Sequence, residues 1–180
     1  MFPYLNASAF GHSVVFYDAE FKNVLSKMIA CYHQMIDDKV TLPNNENSIR
    51  DTILYNYLKK QNIKIKHHLT NYLFDPELPE NTGRIDIHIM PVNPFINDDA
   101  YYVIECKRLD SKTTTGSSGL NGEYIAEGIC RFVSEKYSCY YKVNGMIAFV
   151  VEPIDLHDNV TSINTLLSTH YHQANTAVTL

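Results

Sequence analysis

Apolar side chains recur at spacings of three and four along residues 17–37, at Phe21, Val24, Leu25, Met28, Ile29, Tyr32 and Ile36. That period predicts an amphipathic helix with one core-facing stripe. Beyond Pro43, a second stripe of Ile49, Ile53, Leu54, Tyr57 and Leu58 predicts a helix capped by Asn44 or Asn45 and ending near residues 59–61. The period then shortens. Residues 63–69 alternate Ile and Lys and read as an edge strand, with Lys64 and Lys66 turned outward to blunt pairing or to touch a phosphate backbone. Residues 75–83 read as a proline-rich loop. Ile85, Ile87 and Ile89 then alternate with Arg84, Asp86, His88 and Met90, which predicts a strand with one buried face. Residues 101–106 are more uniformly apolar and predict a central strand. Pro91, Pro94 and an Asn-Asp-Asp cluster make the stretch between these two strands a connection.

Downstream, residues 109–121 are polar and rich in Ser, Thr and Gly, as expected of a mobile surface loop or one that orders over a substrate. Residues 123–137 predict a helix with Ile125, Ile129, Phe132 and Val133 inward. Residues 145–151 are an apolar run that predicts a buried strand. A last helix is expected within 154–170, with Leu156, Ile163, Leu166 and Leu167 as its apolar residues, followed by a frayed polar tail at 171–180. These elements give an α/β domain with a central mixed β-sheet flanked by helices.

Candidate chemistry concentrates on the two clearest strands. A hairpin joining them that closes between Phe95 and Ile96 sets Asp86 opposite Glu105 on one face. Lys107 lies two residues from Glu105 and points the same way. Two adjacent carboxylates resist joint ionisation. A hard divalent cation such as Mg²⁺ removes that penalty and suits oxygen ligands. The alternative is an ordinary cross-strand ion pair. Charged groups closing a strand as apolar as Tyr102-Val103-Ile104 are seldom buried without a partner or a metal.

An acid on one strand followed by Glu105-Cys106-Lys107 on the next resembles the motif of the PD-(D/E)XK nuclease superfamily. The resemblance covers residues 44–152 and implies a restriction-endonuclease-like core, with the predicted helix at 17–37 before it and a helical tail at 154–180 after it. It implies that Asp86, Glu105 and Lys107 are catalytic and that Asp86, Glu105 and Glu46 hold Mg²⁺ or Mn²⁺. Glu46 opens the preceding helix and also stands four residues from Arg50, so an Arg50 ion pair is its other reading. The helix after the motif is implied to border the substrate, through Tyr124, Glu127 and Arg131, although Glu127 and Arg131 also have simple intrahelical pairing spacing. Ile85 stands where the family name has Pro, and Glu127 and Arg131 stand in place of the Gln-x-x-x-Tyr of the RecB-like branch.

Composition narrows this further. The 180 residues suit a single domain and carry 45% hydrophobic and 19% charged residues, the balance of a globular protein. A net charge of −5 argues against a free-standing duplex binder, which normally presents a basic surface. Thirteen Tyr and no Trp leave aromatic residues mainly for core or interface. Cys31, Cys106, Cys130 and Cys139 lack paired spacing and read as reduced thiols of a cytoplasmic protein, with Cys106 and Cys130 in the core. No signal peptide and no apolar run long enough for a membrane span is evident. Neither P-loop nor zinc spacing is present, and His88 reads as a surface histidine or a support for Asp86. The resulting expectation is a Mg²⁺- or Mn²⁺-dependent phosphodiesterase, endonuclease or exonuclease, acting on nucleic acid, DNA before RNA. A defence or restriction context, a homodimer and a protein partner are all compatible with it. The competing expectation is a catalytically silent nuclease-like subunit of a larger complex.

Overall fold

A computed structural model of the chain describes residues 14–80, 83–92, 101–112, 114–137 and 143–179. The predicted start at 1–6, most of the connection between the two motif strands, and Cys139 lie outside them. The described residues form an α/β fold around an open, mixed four-stranded sheet. Strands β1 (Tyr72–Glu80), β2 (Gly83–Pro91), β3 (Tyr102–Leu109) and β4 (Gly145–Val150) lie side by side in chain order. β1 and β2 pair antiparallel, as do β2 and β3, whereas β3 and β4 run parallel.

Helix α1 (Val14–Asp37) confirms the first apolar stripe. Phe21, Val24, Met28, Cys31 and Met35 are buried, whereas Ile29, Tyr32 and Ile36 on its flank remain exposed. Asn45 caps α2 (Glu46–Ile53) by accepting from the Ser48 N–H at 3.0 Å. The helix continues as a π-helical turn, Leu54–Leu58. Ile49, Ile53, Leu54, Tyr57 and Leu58 join the α1 residues and Phe74, Ile87, Ile89, Tyr102, Ile104 and Phe149 of the sheet in one hydrophobic cluster. Each fully buried aliphatic group there contributes about 1.5–3 kcal/mol. A second cluster joins Ile125 to Ile163, Leu166, Leu167 and Ala174.

Several expectations are corrected. The Ile/Lys stretch at 63–69 is a helix, α3 (Gln61–Lys66), and not a strand. Lys64 is buried and donates to the Tyr72 carbonyl at 2.6 Å, and Lys66 donates to Gln34, so these lysines do not line an outward strand edge. The proline-rich stretch is strand β1, where Pro76 and Pro79 are tolerated at the outer edge of the sheet. The run at 145–151 forms the opposite edge strand. Only its Phe149 is buried, and Val150 is 45% exposed. The tail is tied back, with Ala174 buried and Asn164 exchanging hydrogen bonds with the Val178 backbone at 2.8 and 2.9 Å.

The helix after the motif begins earlier than expected. It runs as α4 (Leu120–Tyr124), a π-helical turn (Ile125–Ile129) and α5 (Cys130–Val133), with Val133 45% exposed and not inward. Helix α6 (Leu156–Thr169) buries Ile163, Leu166 and Leu167 but leaves Leu156 exposed. Cys106 is buried as expected, while Cys130 is only partly so. His88 is buried against Tyr101, with ring centroids 4.4 Å apart, which rules out a surface position.

Candidate active site

The register Ile87↔Ile104, His88↔Val103, Ile89↔Tyr102 sets Asp86 opposite Glu105 at its next step, where the pairing of β2 and β3 ends. At that step the backbone ladder gives way to a side chain. The Cys106 N–H donates to Asp86 Oδ2 at 2.8 Å. The burial pattern of β2 shifts at the same place. Ile87 and Ile89 belong to the main cluster, whereas Ile85 packs with Val103 and Tyr137 in a third cluster. Asp86 therefore sits where its carboxylate reaches both β3 and α2. Arg50 Nη1 donates to Asp86 Oδ1 at 3.1 Å, and Arg50 also grips Asp51 Oδ1 through Nε and Nη2 at 3.0 and 2.8 Å. The expected Glu46–Arg50 pair gives way to this Arg50–Asp86 bridge.

Lys107 gathers three acids from three elements. Its Nζ lies 2.9 Å from Glu105 Oε1, 3.3 Å from Glu46 Oε1 and 3.9 Å from Asp86 Oδ2, and it donates to the Cys106 carbonyl at 2.8 Å. Glu46 also accepts from the Arg108 N–H at 3.1 Å, and Arg108 Nη1 donates to Asn44 Oδ1 at 2.8 Å. These bonds lock the first turn of α2 to the end of β3. Gly128 in the π-helical turn makes room for the tip of Met146 and lies against the stem of Lys107. An added Cβ there would meet Met146 Cε at 2.2 Å and Lys107 Cγ at 3.7 Å.

Glu105 is fully buried. Arg131 Nη1 donates to its Oε1 at 2.6 Å and the Tyr137 hydroxyl to its Oε2 at 2.9 Å. Burial, and then the neighbouring Asp86 charge, pushes the Glu105 carboxyl up, with Lys107 and Tyr137 pulling the other way. For Lys107 burial acts downward, but Glu105, Asp86 and Glu46 outweigh it and hold the ammonium above its ordinary value. Burial and Glu105 raise the Tyr137 phenol.

Asp86, Glu105, Lys107 and Glu46 are thus brought together. Arg131 and Glu127 adjoin them as a clamp, Arg131 Nη2 bonding Glu127 Oε2 at 2.5 Å while Nη1 holds Glu105. Tyr124 is not part of this group. It packs with Ile125 in the second cluster, because its position on α4 faces α6. Arg50 and Tyr137 escaped the sequence reading, as did the Arg108 link to Glu46. The only local signal for Arg50 was its spacing from Glu46, and Tyr137 lay at the end of a helix that stops short of it.

Among the described residues the ion-paired group comprises Glu46, Asp51, Asp86, Glu105 and Glu127 against Arg50, Lys107 and Arg131, five acids and three cations, an excess of two negative charges. Carboxylate oxygens are the donor type a hard divalent cation takes. Among the described residues no three His, Cys, Asp or Glu side chains are grouped as ready ligands, and it is the Lys107 ammonium that stands among the acids. No family model, curated protein or solved structure matches the chain. No helix among the described residues is long and apolar enough to cross a membrane.

Proposed function

We propose that the chain is a metal-dependent nuclease with a restriction-endonuclease-like core, hydrolysing phosphodiester bonds of nucleic acid, DNA before RNA. One observation carries the reading: the Lys107 ammonium lies within 4 Å of carboxylates from α2, β2 and β3 at the end of a hairpin. In this reading Asp86, Glu105 and Glu46 hold Mg²⁺ or Mn²⁺. An ion held there would supply a water of lowered pKa and shielding of the phosphoryl oxygens. Arg50 fixes Asp86, and Arg131 with Tyr137 fixes Glu105, so the acids keep their orientation. Lys107, protonated at neutral pH, orients the attacking water or offsets charge gathering on the phosphate. The test is cleavage of plasmid, linear duplex and RNA with Mg²⁺ or Mn²⁺. Lys107→Ala is expected to lose about 10²-fold or more in rate. A purified variant that cleaves as well as the parent overturns the mechanism.

A second reading has its own support. Every oxygen of Glu46, Asp86 and Glu105 already meets a protein donor or cation. A network satisfied in this way suits a catalytically silent, nuclease-like interaction subunit. Calorimetric titration with Mn²⁺ separates the two. Heat that vanishes in Asp86→Asn supports the nuclease, and a silent titration together with no cleavage supports the scaffold.

A further inference from the structure

We infer that Lys107 is an internal counter-ion that occupies the cation position of the acid cluster and must withdraw before a divalent ion enters. The inference deepens the proposed function and rests on its reading of the acids as a cation site. Three carboxylates supplied by α2, β2 and β3 converge on a single ammonium, at 3.3, 3.9 and 2.9 Å. Lys107 is 7% exposed, and its stem is seated against Gly128 in the π-helical turn. Glu105 Oε1 already carries Lys107 Nζ at 2.9 Å and Arg131 Nη1 at 2.6 Å, so a divalent ion brought to these oxygens with Lys107 in place would meet strong added repulsion. Arg50 and Arg131 do not stand in this position. Each pairs with only one of the three acids and in addition with Asp51 or Glu127. With Lys107 in place each of the three acids has a cationic partner without any added ion. With Lys107 swung aside, the freed ammonium is positioned beside the same acids for work on a substrate.

The residue thus has two roles of opposite sign. It supports the metal-free fold, and it competes with the metal. Removing its charge is expected to tighten Mn²⁺ binding by about tenfold or more, measured by calorimetry on Lys107→Met and Lys107→Gln. The raised melting temperature on adding Mn²⁺ should likewise be larger in these variants than in the parent. Unchanged or weaker Mn²⁺ binding in folded variants overturns the inference.

Should neither variant fold, amine acetylation of the parent chain decides, read by mass spectrometry. In chelator, Lys107 should react far more slowly than Lys22, whose side chain is 72% exposed. Saturating Mn²⁺ should raise the rate at Lys107 alone. A rate at Lys107 that Mn²⁺ leaves unchanged overturns the inference. Cleavage assays on the parent keep the two readings apart. Tighter Mn²⁺ binding in the variants without any cleavage by the parent sustains the counter-ion and sinks the nuclease. Cleavage by the parent with no gain in the variants does the reverse.

Discussion

At Glu105, burial and charge pull in opposite directions. Its carboxyl is sealed from solvent and sits beside Asp86, and both effects favour the protonated form more than Lys107 and Tyr137 oppose it. The folded-state value therefore lies above the unfolded one. As pH falls, the native chain takes up this proton before the unfolded chain does, so the contribution of this group to stability improves on acidification. The window lies above the ordinary carboxylate value. On acidification toward the ordinary carboxylate range the melting temperature of the parent should gain relative to Glu105→Gln, which does not titrate. A constant difference across that range would show that Glu105 is not perturbed. Asp86, Glu105 and Lys107 were legible from sequence because strand alternation is a strictly local rule. Arg50 and Tyr137 were not. Their bonds to Asp86 and Glu105 span 36 and 32 residues, and no periodicity along the chain encodes a contact of that range.

Individual elements show where local rules succeed and fail. The stripes of α1 and α2 extend over several turns, and their helices formed as expected with Asn45 as a cap. In α3 only a few residues alternate Ile and Lys, and so short a run satisfies a strand pattern and a helical turn alike. Packing decides between them. Ile63 and Lys64 turn inward, whereas Ile65 is 58% exposed, which no half-buried strand would allow. β1 was hidden by its prolines, whose missing N–H groups matter little at a sheet edge. The helix after the motif depends on Gly122 at its start. An added Cβ there would lie 2.2 Å from the Ser117 carbonyl oxygen and 2.5 Å from its carbon, both backbone atoms. Gly122→Ala should therefore force the 114–119 turn away and cost about 1–3 kcal/mol, seen as a lower urea midpoint. The adjacent Asn121, which bonds Asn159 of α6 at 2.9 Å and the Thr114 carbonyl at 3.1 Å, would be displaced with it. A variant with the parent's midpoint would show that this turn yields freely.

For the molecule as a whole, the acid cluster adds to a net charge of −5. Phosphate binding draws most of its strength from cations, so this chain offers a polyanion little attraction without a metal. If the nuclease reading holds, a fluorescent duplex should bind about tenfold or more tightly in Ca²⁺, which supports binding without rapid cleavage, than in chelator. Equal anisotropy curves in the two buffers would count against it. The sheet is also covered unevenly. A groove of about 650 Å³ runs between α1 and edge strand β4, lined by Leu25, Ile29, Tyr32, Met146, Ala148 and Val150 among others. The apolar pattern of both elements was visible along the chain. That β4 takes an edge place was not, because strand order follows from pairings between distant segments.

The distances in sequence among the three acids have a consequence for how the chain acquires its chemistry. Lys107 reaches back 61 residues to Glu46, and Asp86 takes an N–H 20 residues ahead of it. Contacts of this separation close large loops and follow local helix formation in time. Refolding should restore helicity first and the charged triangle afterwards.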